Sequence, residues 1–298
     1  MIPKSGYRFS EKDHAPRIRN TRPICRSELE NVPADSAASP LPSGLPIVAL
    51  RDVGKTFANG VVALDRLDLD VRPGEFVSLL GPSGCGKSTA LRIIAGLSEP
   101  SRGKIEWRQA DAANAANPRR IGFVFQEPTL MPWATVAANA RLPLKLAGLG
   151  PNWQARVDAA LERVGLTGFA QSYPRELSGG MKMRTSIARA LVTEPTLLLM
   201  DEPFAALDEI TRFRLNNDLL SLWQSLGKTV VFVTHSVFES VYLSQRVVVM
   251  TPRPGRVFTE MTIDAPYPRD ERFRTSAHYA SYCRKVSEAL ASAMGEVT

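Results

Sequence analysis

The 298-residue sequence predicts an α/β fold: a mostly parallel sheet core, an antiparallel β subdomain and a helical insertion. Three observations carry this expectation. Short apolar runs, among them EFVSLL (75–80), TLLLMDE (196–202), TVVFVTH (229–235) and RVVVM (246–250), are rich in Leu and β-branched residues and suit strands buried on both faces. Helix-like stretches separate these runs, and parallel strands need such crossovers. Ahead of them, IVALRDVGKTF and VVALDRLDLDV flank Asn59-Gly60, a hairpin signal that calls for antiparallel pairing.

Taken in order, residues 1–46 mix Pro, Ser, Arg and acidic residues without periodicity and predict a disordered extension. Order begins near Ile47 with the hairpin, and EFVSLL runs into a glycine-rich loop and a helix reaching about Leu97. KIEW (104–107) and IGFVF (121–125) read as short strands. VAANARLPLKLAG and NWQARVDAALERVG then bring helical character, giving a helical subdomain over about 127–192. Strand–helix alternation resumes with TLLLMDE, a helix from Glu209 to Leu226, TVVFVTH, a short helix and RVVVM. A small strand pair is expected beyond Thr251. The main domain closes near Asp264, and 265–298 form a tail with a helix from Ser276 to Met294.

Composition narrows the function classes. No apolar run approaches the ~20 residues of a membrane-spanning helix, and the first thirty residues lack the apolar stretch of a signal peptide. A cytoplasmic location is expected. Cys25, Cys85 and Cys283 stand at unrelated spacings, which fits neither a disulfide framework nor a zinc site. The net charge of +7 is dispersed, with Arg119-Arg120 a minimal cluster, so nucleic acid is not the expected partner. An anionic membrane surface or an acidic face on a partner suits the charge.

Gly81, Pro82, Ser83, Gly84, Cys85, Gly86, Lys87 and Ser88 fit G-x-x-x-x-G-K-[ST] between an apolar strand and a helix, the setting a phosphate loop requires. The glycines let backbone N–H groups curl around phosphates, Lys87 adds a positive charge, and the Ser88 hydroxyl, with Thr89 beside it, can ligate Mg²⁺. The apolar strand LLLM ends in Asp201, suited to the metal through water, and Glu202, suited to orienting or deprotonating an attacking water. Gln126 and His235 also stand at strand ends, where ligands of open parallel sheets collect. Cys85 sits beside a helix N-terminus, which predicts a depressed thiol pKa and alkylation blocked by bound nucleotide.

A second glycine-opened helix begins at Leu177-Ser178-Gly179-Gly180-Met181, without the Lys-Ser pair of a phosphate loop. With these residues assembled, the chain resembles the nucleotide-binding subunits of ATP-binding cassette (ABC) transporters, P-loop NTPases, over about Ile47 to Asp264. The resemblance makes Gln126 the Q-loop and magnesium-binding glutamine, LSGGM the signature, LLLMDE the Walker B strand, Ala206-Leu207-Asp208 the D-loop and His235 the switch histidine. It places Phe57 where the family stacks an aromatic on adenine. It implies a homodimer packed head to tail, each ATP held between the phosphate loop of one copy and Ser178, Gly179 and Gly180 of the other. The signature departs from the family at Met181, where Gln is usual.

The separation of Gln126 from Leu177 is too short for the coiled-coil arms of DNA-repair relatives. The length of the tail after His235 leads to the expectation that the large regulatory domain of sugar importers is absent. Asp201-Glu202-Pro203-Phe204, EPTLMPW (127–133) and PYPRDERFRTSAHYASYCRKV (266–286) resemble bacterial importers of the nitrate/sulfonate/taurine group. That resemblance implies an integral-membrane permease, an extracytoplasmic solute-binding protein and a peripheral position on the cytoplasmic face of the cell membrane. Leu130, Met131, Pro132 and Trp133 are the expected contact with a short permease helix. The rival expectation is a non-transport regulator that uses ATP-driven dimerisation.

Overall fold

The computed structural model describes residues 44–108, 120–148 and 152–295. The disordered extension expected at 1–46 therefore lies, as far as residue 43, outside the described residues. Strands β1 (Val48–Thr56) and β2 (Val62–Val71) pair antiparallel, with Val48 opposite Val71 and Thr56 opposite Val62. Their turn is the expected one at Asn59-Gly60. Gly60 adopts φ 80°, and the Phe57 N–H donates to the Val61 carbonyl at 2.9 Å.

The chain continues through β3 (Phe76–Leu80), α1 (Lys87–Ile94), β4 (Arg102–Trp107) and β5 (Ile121–Val124). It then runs through α2 (Val136–Leu146), α3 (Trp153–Arg163) and α4 (Gly179–Leu191) before β6 (Leu197–Asp201), α5 (Glu209–Leu226), β7 (Thr229–Thr234), α6 (Val237–Leu243) and β8 (Arg246–Met250). Last come β9 (Val257–Thr262), α7 (Glu271–Arg274) and α8 (Ala277–Met294). The first helix stops short of Leu97. Gly96 turns left-handed at φ 72°, and the Leu97 N–H folds back onto the Arg92 carbonyl at 2.8 Å, the closing pattern of a glycine-terminated helix.

Strands β2-β1-β4 make an antiparallel sheet, and β5-β6-β7-β3-β8-β9 make the main one, parallel except for β9. The small strand pair expected beyond Thr251 is instead β9 alone, turned back onto β8 with Val248 opposite Glu260. Side chains alternate through the main sheet, so one core lies on each face. Phe76, Leu80, Met200 and Phe232 face α4, α5, α6 and α8, whereas Val77, Leu79, Leu199 and Val231 face α1 and the antiparallel sheet.

The C-terminal segment belongs to the first of these cores through Tyr279, Cys283 and Val286. Arg269 fastens it. This guanidinium is 4% exposed and donates to the carbonyls of Val241, Tyr242, Ser244, Ile263 and Ala265 at 2.8–3.2 Å, stacking on Tyr267 with its centre 4.1 Å from the ring. Three of those carbonyls close the end of α6, where a cation is favoured by the helix dipole. Burial lowers the Arg269 pKa and pushes the Tyr267 hydroxyl up to about 12.

Candidate active site

The wholly buried β3 ends at Leu80, and the loop that follows is shaped by its glycines. Gly84 and Gly86 take φ 77° and 103°, a region strained for any side chain. A Cβ on Gly86 would lie 2.7 Å from the Ala63 carbonyl oxygen, and one on Gly81 would lie 2.8 Å from Cys85 Sγ. Gly86 caps α1 without a side-chain acceptor, so no side chain covers the first N–H groups of that helix. Lys87 is 3% exposed, and its Nζ donates to Gly81 O at 2.8 Å and Pro82 O at 2.9 Å.

The expectation of a depressed Cys85 thiol is overturned. Cys85 is 1% exposed, and burial pushes its pKa up despite the opposing pull of Lys87. A helix N-terminus lowers a thiol pKa only where the thiolate keeps other solvation, and here the sulfur packs into the core beneath the loop.

Across the sheet, β6 delivers both carboxylates. Asp201 Oδ1 accepts from Ser88 Oγ at 2.7 Å, and burial pushes the carboxyl up. Glu202 has the unusual φ of 45°, its N–H donating to Val233 O at 3.0 Å, so its side chain leaves the sheet direction. Glu202 Oε2 lies 3.0 Å from His235 Nδ1, and Oε1 lies 3.5 Å from Lys87 Nζ. Adjacent parallel strands β3, β6 and β7 thus bring Lys87, Glu202 and His235 into one row. A cavity of about 330 Å³ opens there, lined by Phe57, Ser83, Lys87, Ser88, Thr89, Gln126 and Glu202 among others.

The cavity suits a triphosphate with Mg²⁺. Its floor is backbone that a Cβ would obstruct, Lys87 supplies a positive charge, and the Ser88–Asp201 pair offers hard oxygen donors. Among the described residues no group of three or more His, Cys, Asp and Glu gathers around a point, so a metal there would need oxygens from its ligand. Phe57 stands at the rim, 42% exposed, with Lys55 Nζ 5.6 Å from its ring centre.

Sequence reasoning missed Arg253. It lines the same cavity, and its Nε and Nη2 donate to Gly84 O at 3.2 and 3.1 Å. No local pattern pointed to it: Arg253 follows β8, and only the pairing of β8 with β3 brings it to the loop.

The second glycine-opened helix is placed elsewhere: none of residues 177–181 lines this cavity. Ser178 caps α4, its Oγ accepting from Met181 N at 3.3 Å. A Cβ on Gly179 would stand 3.2 Å from Leu207 Cδ2, and one on Gly180 would stand 2.8 Å from Thr211 Cγ2, so Gly180 lets α4 approach α5. Leu177 is buried, and the Met181 side chain packs against the core, which accounts for an apolar residue there. Asp208 caps α5 by accepting from Thr211 N at 2.9 Å, and these hydrogen bonds hold its carboxyl below the usual range.

Leu130 and Met131 are half-buried, whereas Trp133 is 77% exposed. Their loop is pinned from both ends. Arg189 of α4 donates to Pro128 O at 2.7 Å and Thr129 O at 2.8 Å. The fully buried Asn139 of α2 donates to the carbonyls of Met131, Ala134 and Thr135 and accepts from Met131 N at 2.7 Å.

A family model described as ABC transporter matches residues 64–205. Over 235 residues the chain is 49% identical to an uncharacterized ABC transporter ATP-binding protein of Methanocaldococcus jannaschii, covering 78% of this chain and 85% of that one. The chain belongs to the ABC transporter ATPases. This ABC ATPase is also 47% identical over 226 residues to an aliphatic sulfonates import ATP-binding protein of Pseudomonas savastanoi pv. phaseolicola, covering 76% and 90% of the two chains. Among solved structures it is similar to the dimeric post-hydrolysis state of an ATP-binding cassette bound to ADP and Pi. That likeness has TM-score 0.63 and 36% identity, covering 73% of this chain and 99% of that one. Among the described residues no helix of this ABC ATPase is long and apolar enough to cross a membrane.

Proposed function

We propose that this chain is the ATP-hydrolysing subunit of an importer for an aliphatic sulfonate or a related small solute, working as a homodimer beneath a separate permease on the cytoplasmic face of the membrane. A solute-binding protein on the other side delivers the solute. The observation that carries the reading is the separation of the two glycine-opened helices: the cavity holding Lys87, Ser88, Gln126 and Glu202 contains no residue of 177–181. A second copy turned head to tail supplies that cap, and two-fold symmetry makes two such sites. The dimeric cassette with ADP and Pi supports the arrangement, and the sulfonate-import relatives support the solute class.

Within each site Lys87 and the loop N–H groups take the β- and γ-phosphates, and Phe57 stacks on the base. Ser88, Gln126 and Asp201, the last through water, would hold Mg²⁺, which when bound neutralises phosphate charge. Glu202 accepts the proton of the water whose oxygen attacks the γ-phosphorus as the bond to the ADP oxygen breaks. His235, 3.0 Å from Glu202, fixes the orientation of that carboxylate.

Glu202→Gln should lower turnover by ~10²–10⁴-fold, the range for losing a general base, and should trap an ATP-bound dimer. Sedimentation with and without ATP measures the second effect. Parental turnover, or a monomer at saturating ATP, would sink the reading. Copurification from solubilised membranes with an integral-membrane protein tests the permease, and a soluble or DNA partner would favour a regulator instead.

A further inference from the structure

Beneath the Glu202–His235 contact lies a buried polar cluster that the chemistry above does not use. Glu239, on the first turn of α6, is 8% exposed, and its Oε2 accepts from Thr234 Oγ1 at 2.6 Å. Thr234 Oγ1 in turn accepts from Ser236 N at 3.0 Å, bridging over His235. A hydroxyl donates one proton and accepts on its lone pairs, so Thr234 holds both groups at once and ties Glu239 to the turn that carries the histidine.

The other oxygen of Glu239, Oε1, lies 3.8 Å from Arg212 Nε. That ion pair offsets the burial of the Glu239 charge together with the Thr234 hydroxyl and the Asn216 side chain. Arg212 Nη2 reaches the other way, donating to Leu207 O at 3.0 Å and Ala205 O at 3.5 Å. Those carbonyls belong to the loop that leaves Glu202 and ends at the α5 cap, Asp208. One ion pair therefore joins the loop after Glu202 to the turn bearing His235.

We infer that Arg212 and Glu239 are positioning residues that set the Glu202–His235 contact and transmit displacement of segment 205–208 to His235. The inference rests on the hydrolytic reading of Glu202 and His235, and it deepens that reading by linking the loop resembling a D-loop to the reacting carboxylate within the same chain.

Arg212→Lys keeps the positive charge and opens only the fork on the carbonyls, while Glu239→Gln keeps the shape and removes the charge. Each should lower kcat for Mg-ATP by ~10–100-fold with KM within about twofold, as misplacement of a reacting group does. In the full chain, which has three histidines, the His235 imidazole signal is identified by its loss in His235→Ala, and it should shift in both variants. Added to His235→Ala, neither substitution should lower the rate further.

An unmoved His235 signal in both folded variants, or effects that multiply with that of His235→Ala, would overturn the inference. The imidazole signal is read without turnover. A wild-type chain that fails to hydrolyse Mg-ATP while the signal still shifts would sink the proposed function and leave the linkage standing.

Discussion

Gly86→Ala tests whether the phosphate loop is held open by backbone geometry. Two costs can be worked from the structure. At φ 103° an alanine is strained by ~1–3 kcal/mol. Its Cβ would also lie 2.6 Å from Leu64 Cδ2 and 2.7 Å from Ala63 O. The leucine tip can rotate away, but the carbonyl is backbone at the start of β2 and cannot, adding ~1–3 kcal/mol of overpacking. The sum is about 2–6 kcal/mol. Gly96→Ala is the control, because Gly96 has φ 72° and nothing within 4 Å of the added carbon, so strain alone applies. Urea unfolding of the two variants, followed by titration with a fluorescent ATP analogue, reads the crowding term together with the extra strain of φ 103° over φ 72° as their difference. Gly86→Ala should be the less stable of the two and should lose nucleotide binding, while Gly96→Ala binds normally. Equal stabilities, or normal binding by Gly86→Ala, would refute the reasoning.

Three further outcomes follow from the same structure. The folded pKa of Asp201 is raised by burial, so its ionised form is disfavoured in the fold and the penalty appears as pH rises through that pKa. Asp201→Asn without Mg²⁺ should therefore melt higher than wild type at neutral pH, with the gain fading in acid, while Mg-ATP turnover is lost; a lower melting point at neutral pH would count against this. Cys85, buried and with a raised pKa, should resist iodoacetamide in the native chain equally with and without ATP and react on unfolding. Rapid labelling that ATP prevents would restore the reactive thiol. Trp133→Asp should leave stability and ATPase activity near parental, because the side chain is 77% exposed, yet abolish uptake in cells carrying the permease. Normal uptake by that variant ends the assignment of this loop to the permease.

Much of this was legible because it is local. The strands β3, β6, β7 and β8 are apolar runs whose ends show in the sequence, the Asn59-Gly60 turn carries its own backbone requirement, and Asp208 and Ser276 mark helix starts by capping their own next turns. The phosphate loop is read the same way, since its glycines and Lys87 act within nine consecutive residues.

What the residues could not say alone was burial and long-range company. Cys85 looked activated by the helix beside it, and only the core beneath the loop reversed the sign. Arg253 reaches Gly84, and Arg212 faces Glu239, across separations that no local pattern encodes. The position of Ser178 outside the Lys87 cavity is likewise a matter of how α4 packs on α5. Sequence by itself determined which elements form and which groups carry chemistry, because φ, ψ preference and side-chain type are properties of neighbours along the chain. Tertiary structure decided which charges are paired, which thiol is quiet and which glycine helix faces outward, because desolvation and contact depend on whatever the fold brings alongside.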